Sequence, residues 1–132
     1  MFLGLKIDVD TERGAREGVP RLLAALERHG ARATFLFNVG PDRTGRALRL
    51  MLPGGGLPAL PHYGWRTALQ GVLLPAPDMG LRCADAMRVV REAGHEAGLR
   101  AWDHAAWRRH AAAADADWTT AQLERASARF TE

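Results

Sequence analysis

Between Phe2 and Val39 the sequence runs strand, helix and strand in about forty residues, and that order limits the fold more than any other feature of the chain. From Phe2 to Asp10, Leu3, Leu5, Ile7 and Val9 fall on one face of an extended segment, and Gly4, Lys6, Asp8 and Asp10 on the other. Val19 to His29 reads as a helix, with Pro20 in its first turn, Leu22, Leu23 and Leu26 as its buried stripe and Gly30 as its stop. Ala33 to Val39 is nearly continuous in apolar content, as expected of a strand covered on both sides in a parallel α/β sheet. Strand, crossover helix and strand make one βαβ unit.

The rest of the chain extends the pattern. Arg46 to Leu52 predicts a short helix, and Pro53 to Pro61, with three glycines and three prolines in nine positions, a loop. Tyr63 to Leu74 is apolar and reads as a buried packing helix, with contact to a membrane interface as the alternative. Pro75 to Gly80 is a second break. Arg82 to Ala93 predicts an amphipathic helix with Met87, Val89 and Val90 inward and Gly94 as its stop. Ala97 to Trp102 reads as a third strand. Trp118 to Phe130 reads as a last helix, capped by Thr119 or Thr120 and anchored by Leu123. The expected architecture is β-α-β-(insert)-α-β-α, with residues 53–80 as a Pro/Gly-rich insert in one domain of 132 residues. Three strands leave an open edge, so the chain is expected to continue into a missing C-terminal half or to associate with another copy.

Charge narrows the partners. The formal charge is +3, and lysine occurs once, at Lys6, so arginine supplies the other seventeen of the eighteen basic residues. These are spread along the chain among Asp and Glu, which does not predict a basic face for nucleic acid. No apolar run approaches the ~18 residues of a membrane span, and the start has no basic region before its apolar stretch and no cleavage site, so export by a signal peptide is not expected. The single Cys83 has no partner for an internal disulfide. The expected compartment is the cytoplasm.

Asp8 and Asp10 are the first candidates for chemistry. Two apart on a strand, they share a face at its C-terminal end, where α/β enzymes gather catalytic groups. Two carboxylates so close call for a cation or a shared proton, although a solvated strand-to-loop turn accounts for them as well. His104 ends the third strand, and counting by twos places Arg100, Trp102 and His104 on one face. A histidine and a carboxylate from neighbouring strand ends can meet at a metal. His29, His62, His95 and His110 read as structural or surface residues. Gly40 to Arg46 offers backbone N–H groups and two arginines after the second strand, which suits a phosphate or an ordinary turn; the Gly-Lys-Ser/Thr ending of a P-loop is absent. Trp65, Trp107 and Trp118 read as packing.

Several stretches resemble a known family. Lys6-Ile7-Asp8-Val9-Asp10-Thr11 resembles the first motif of the polysaccharide deacetylase (NodB-homology) superfamily. Within it, Arg16-Glu17-Gly18-Val19-Pro20-Arg21-Leu22-Leu23 looks like the deformylases of undecaprenyl-phosphate-linked 4-deoxy-4-formamido-arabinose. So do Val39-Gly40-Pro41-Asp42 with Gly45-Arg46, Tyr63-Gly64-Trp65, and Gly98-Leu99 with Ala101-Trp102-Asp103-His104. The matches keep their order over nearly the whole chain. The resemblance implies the N-terminal part of a distorted (β/α) barrel, about three β/α units, in a partial NodB-homology domain spanning residues 1–132.

It further implies a metal-dependent amide hydrolase of lipid A modification, with Asp8 as general base and Asp10 and His104 as ligands of a divalent metal, zinc by type. Arg100, Trp102, Tyr63 and Arg46 are its substrate-binding candidates. The substrate would be a lipid-linked sugar, met at the inner face of the inner membrane. Two departures stand out. The first metal histidine of the motif falls on Arg100, which has no lone pair to give a cation, so metal binding is expected to be weakened or lost. The chain also stops after the third β/α unit, before the family's late acid histidine. Two other readings follow: a non-catalytic remnant in which Arg100 pairs with Asp8 or Asp10 and which still binds a sugar phosphate, and a deacetylase of N-acetyl sugars.

Overall fold

A computed structural model describes residues 3–51 and 63–131. Strands β1 (Lys6–Val9), β2 (Thr34–Asn38) and β3 (Glu96–Ala101) form one parallel sheet in the order β1-β2-β3. Lys6 lies opposite Thr34 and Thr34 opposite Glu96, so the three strands start level. The register shifts between Phe37 and Asn38, where Asn38 comes to pair with Ala101. The first strand is shorter than its apolar pattern: Leu3 and Leu5 precede it and are exposed.

A π-helical turn (Gly14–Gly18) leads into α1 (Val19–Arg28), which returns the chain to β2. Its buried stripe keeps Leu26 and the partly covered Leu23 as expected, but takes Val19 in place of Leu22, which lies exposed at the rim. After β2 come α2 (Thr44–Met51), the short α3 (Trp65–Leu69) and α4 (Met79–Arg82), and then α5 (Ala84–Glu92). In α5 the core side takes Val90, with Ala86 and Met87 partly covered, while the neighbouring Val89 turns outward. The core joins α1 and α5 to one face of the sheet through Val9, Phe35, Phe37, Met79 and Cys83.

Three segments differ from expectation. The apolar stretch from Tyr63 is not one buried helix: it breaks at Gly64, the helix after it is the short Trp65–Leu69, Thr67 and Gln70 turn inward, and Trp65 and Leu73 are exposed. The expected loop from Pro53 to Pro61 lies outside the described residues, as does His62. After β3 the alanine- and arginine-rich segment forms a helix, α6 (His104–His110), which its composition did not announce. The last helix, α7 (Ala116–Thr131), starts earlier than expected. Asp115 caps it by accepting from the Trp118 amide at 2.8 Å, in place of a threonine. Ala126, not the half-exposed Leu123, is its buried contact.

Asp78 locks α7 to the rest. Arg129 Nη2 reaches Asp78 Oδ2 at 2.5 Å, and Asp78 Oδ1 accepts from the Leu81 amide. Burial alone would raise the Asp78 carboxyl, yet the hydrogen bonds from Arg129 and Leu81 hold it below its ordinary value.

Candidate functional site

Asp8, Asp10 and Arg100 gather towards the carboxyl end of the sheet, on the face opposite α1 and α5. Asp8 stands on β1 and Asp10 one residue beyond it; Arg100 stands on β3. The Arg100 guanidinium spans both carboxylates, with Nη1 against Asp8 Oδ2 and Nε 3.3 Å from Asp10 Oδ1. Lys6 Nζ adds a second cation, 3.2 Å from Asp8 Oδ1. The side chains of Asp8, Asp10 and Arg100 are each about a quarter to a third exposed, so this cluster is neither dry nor fully solvated.

Asn38, which the sequence reading passed over, connects the remaining candidates. At the end of β2 it is 4% exposed. Its Nδ2 donates to Asp10 Oδ1 at 2.8 Å and lies 2.9 Å from His104 Nδ1. Accepting that bond leaves the neutral ring's proton on Nε2. Asn38 Oδ1 is buried and has no hydrogen-bond partner among the described residues. The available signal was one polar residue closing an otherwise apolar strand.

His104 arrives by a different route from the one expected. β3 ends at Ala101, and His104 is the first residue of α6, so strand parity does not carry through Trp102 to it. The turn between them is fixed by Asp103, whose Oδ1 accepts from the amides of Ala105 and Ala106, both at 3.0 Å. It is fixed again by Gly40, whose amide donates to the Trp102 carbonyl at 3.0 Å. A Cβ at Gly40 would collide with that carbonyl, so the exits of β2 and β3 touch only because glycine stands there.

Within Gly40 to Arg46 the Asp42 carboxylate is taken up by backbone amides rather than offered to a ligand. Asp42 is buried; it accepts from the Glu12 amide at 2.9 Å and the Thr44 amide at 3.0 Å, and so ties the loop after β1 to the start of α2. Trp102 lies beside the strand-end cluster, walling a pocket of about 10 Å³ with Asp10, Asn38 and His104. Tyr63 is apart from it, on a cavity of about 320 Å³ shared with Arg13, Trp65 and Gln70. His95 is structural: its Nδ1 accepts from the Ala33 amide at 3.3 Å and its ring lies against Phe35.

These residues do not fit a divalent cation. Among the described residues no group of three His, Cys, Asp or Glu side chains gathers at one point. The position between the carboxylates faces a guanidinium, which carries the positive charge and offers no lone pair.

A parallel α/β sheet with its polar cluster at the carboxyl ends of the strands defines the class of the molecule. Its likeness to known proteins is narrower. Over 111 residues the chain is 44% identical to the probable 4-deoxy-4-formamido-L-arabinose-phosphoundecaprenol deformylase ArnD of Shewanella sediminis (strain HAW-EB3), a match over 80% of this chain and 36% of that protein. A protein of the same description from Wigglesworthia glossinidia brevipalpis is 33% identical over 100 residues, 71% of this chain and 35% of its own length. The chain thus spans about a third of the length of the curated relatives it matches. No family model matches it.

Proposed function

We propose that this chain is the N-terminal part of a deformylase-type amide hydrolase for a lipid-linked formamido-arabinose, with a carboxylate site held by Arg100 in place of a metal. The observation that carries the first half is the 44% identity to a probable ArnD deformylase over most of the chain. The partial barrel of NodB-homology type agrees with a three-stranded parallel sheet whose polar cluster sits at the strand ends. The lipid-linked substrate and a working place at the inner membrane face come from that likeness. Exposed Trp65 and Leu73 support contact with a membrane surface. No helix among the described residues is long and apolar enough to cross a membrane.

The roles implied for Asp8 as base and for Asp10 and His104 as ligands do not transfer unchanged. Asp8 already contacts Lys6 and Arg100, and Asp10 contacts Arg100 and Asn38. The ion pairs of Arg100 favour a second reading, a non-catalytic relative that keeps the fold and binds a sugar phosphate. Formate release from an undecaprenyl-phosphate-linked formamido-arabinose, measured on the protein as the cell makes it and on Arg100→His, separates the two. Release by the native protein supports the deformylase. Release by Arg100→His alone, with zinc binding gained, supports the non-catalytic relative. Release by neither overturns the deformylase reading.

A further inference from the structure

Although the arginines are dispersed in the sequence, three of them converge in space. Arg43 and Arg46, around the start of α2, and Arg109, near the end of α6, line one cavity of about 180 Å³ with Asp103 and His110. Asp103 is the carboxylate on its wall, and it is committed elsewhere. Its Oδ1 holds the amides of Ala105 and Ala106, and its Oδ2 lies 3.5 Å from Arg43 Nη1. Arg46 and Arg109 pair with no carboxylate among the described residues, and the stretch 52–62 contains no Asp or Glu. His110 sets its ring edge-on to Trp118, 6.3 Å between centroids.

Guanidinium groups aimed at a shared space repel one another until an anion enters, and their planar forks match the oxygens of a phosphate. The cavity also shares Arg43, Asp103 and Ala105 with the small pocket walled by Asp10, Asn38 and His104. An anion seated among the arginines therefore lies directly beside the strand-end cluster.

We infer that this cavity binds the phosphate group of a phosphate ester, with Arg46 and Arg109 as its principal ligands and Arg43 as the link to the strand ends. The inference rests on the proposed function only in taking the ester as the anchor of a larger sugar-bearing molecule. The phosphate belongs to a lipid headgroup or to a free ester, and the cavity chemistry is the same for both.

The test is calorimetric titration of the chain with inorganic phosphate at fixed ionic strength, chloride serving as the reference anion. Saturable one-to-one binding is expected. Arg46→Gln and Arg109→Gln should each weaken it roughly tenfold, the scale of a charge-assisted hydrogen bond. Arg21→Gln with Arg28→Gln on α1 removes the same charge as Arg46→Gln with Arg109→Gln and should leave binding unchanged. Both cavity arginines are exposed, and a thermal melt checks that the variants fold.

Sedimentation with phosphatidylcholine vesicles, with and without phosphatidic acid, identifies the source. Phosphatidic acid-dependent binding that the cavity variants lose assigns a lipid headgroup; phosphate binding without vesicle binding assigns a free ester. Phosphate that binds no tighter than chloride, or that the α1 variant weakens equally, overturns the site. Formate release is read separately, so failure of the cavity and failure of the deformylase reading are distinguishable.

Discussion

On one face of the sheet Ile7, Phe35 and Ala97 stand side by side, followed by Val9, Phe37 and Leu99. On the other face Lys6 stands beside Thr34 and Glu96, and Asp8 beside Leu36 and Gly98. The same three strands supply both rows, because successive side chains point to opposite sides. The first row is closed over by α1 and α5, and its central residues Phe35 and Phe37 are fully buried. The second stays half-open and gives its charges partners: Glu96 accepts from the Thr34 hydroxyl at 2.6 Å, and Arg100 spans Asp8 and Asp10. The covered face owes its stability to area removed from water and the open face to charge pairing, so the two should answer differently to the same perturbations.

The largest effect belongs on the covered face. Phe37→Ala should cost about 3–5 kcal/mol in denaturant unfolding, the range for emptying a buried aromatic site. A cost below about 1 kcal/mol would mean that this face is not the closed core described here.

Cys83 probes the same face by chemistry. Burial, and after it the charges of Glu12, Asp42 and Asp78, push its thiol up to about 12 from an ordinary 9.0. Near pH 8 the folded protein should therefore hold about a thousandfold less thiolate than the unfolded chain, and a disulfide reagent should label Cys83 only through unfolding. Since the folded value is the raised one, the stability it contributes is complete below pH 9 and is lost as pH rises towards 12. Rapid labelling of the native protein would contradict a dry covered face.

Legibility in the sequence follows the same division. The βαβ order, the parallel sheet and the strand-end position of Asp8 and Asp10 were readable because strand alternation and helix periodicity are local. The pairing of Arg100 with those carboxylates was readable from residue type at one motif position. What failed was finer or longer in range. Leu22, Val89 and Leu123 were assigned inward because each neighbours the true stripe by one or three positions, and only packing decides which side of a helix edge is covered. Asn38, and the meeting of Arg109 with Arg43 and Arg46, were missed for another reason. They join residues from separate elements, as Asn38 and His104 show, and no periodicity reports such a meeting. His104 does reach Asn38 beside the strand ends, but from the first turn of α6, since the strand ended before the parity count did.

Arg100 is where the open face can be broken. Arg100→Met keeps much of the side-chain volume but leaves Asp8 and Asp10 facing each other with Lys6 as the cation on Asp8. The pair is partly solvated, so the expected loss is about 1–2 kcal/mol, between the values for exposed and buried ion pairs. Salt gives the discriminating sign. Screening weakens the native pairs and also relieves the repulsion in the variant, so the stability gap should narrow as salt rises. No such narrowing is expected for Phe37→Ala, whose cost is packing. Adding Asp8→Asn to Arg100→Met should recover part of the loss, because Asp10, left without a cation, no longer faces a second carboxylate. A gap that ignores salt, or a double variant less stable than Arg100→Met alone, would show that Arg100 acts through its packed stem, and the open face would then follow the same rule as the covered one.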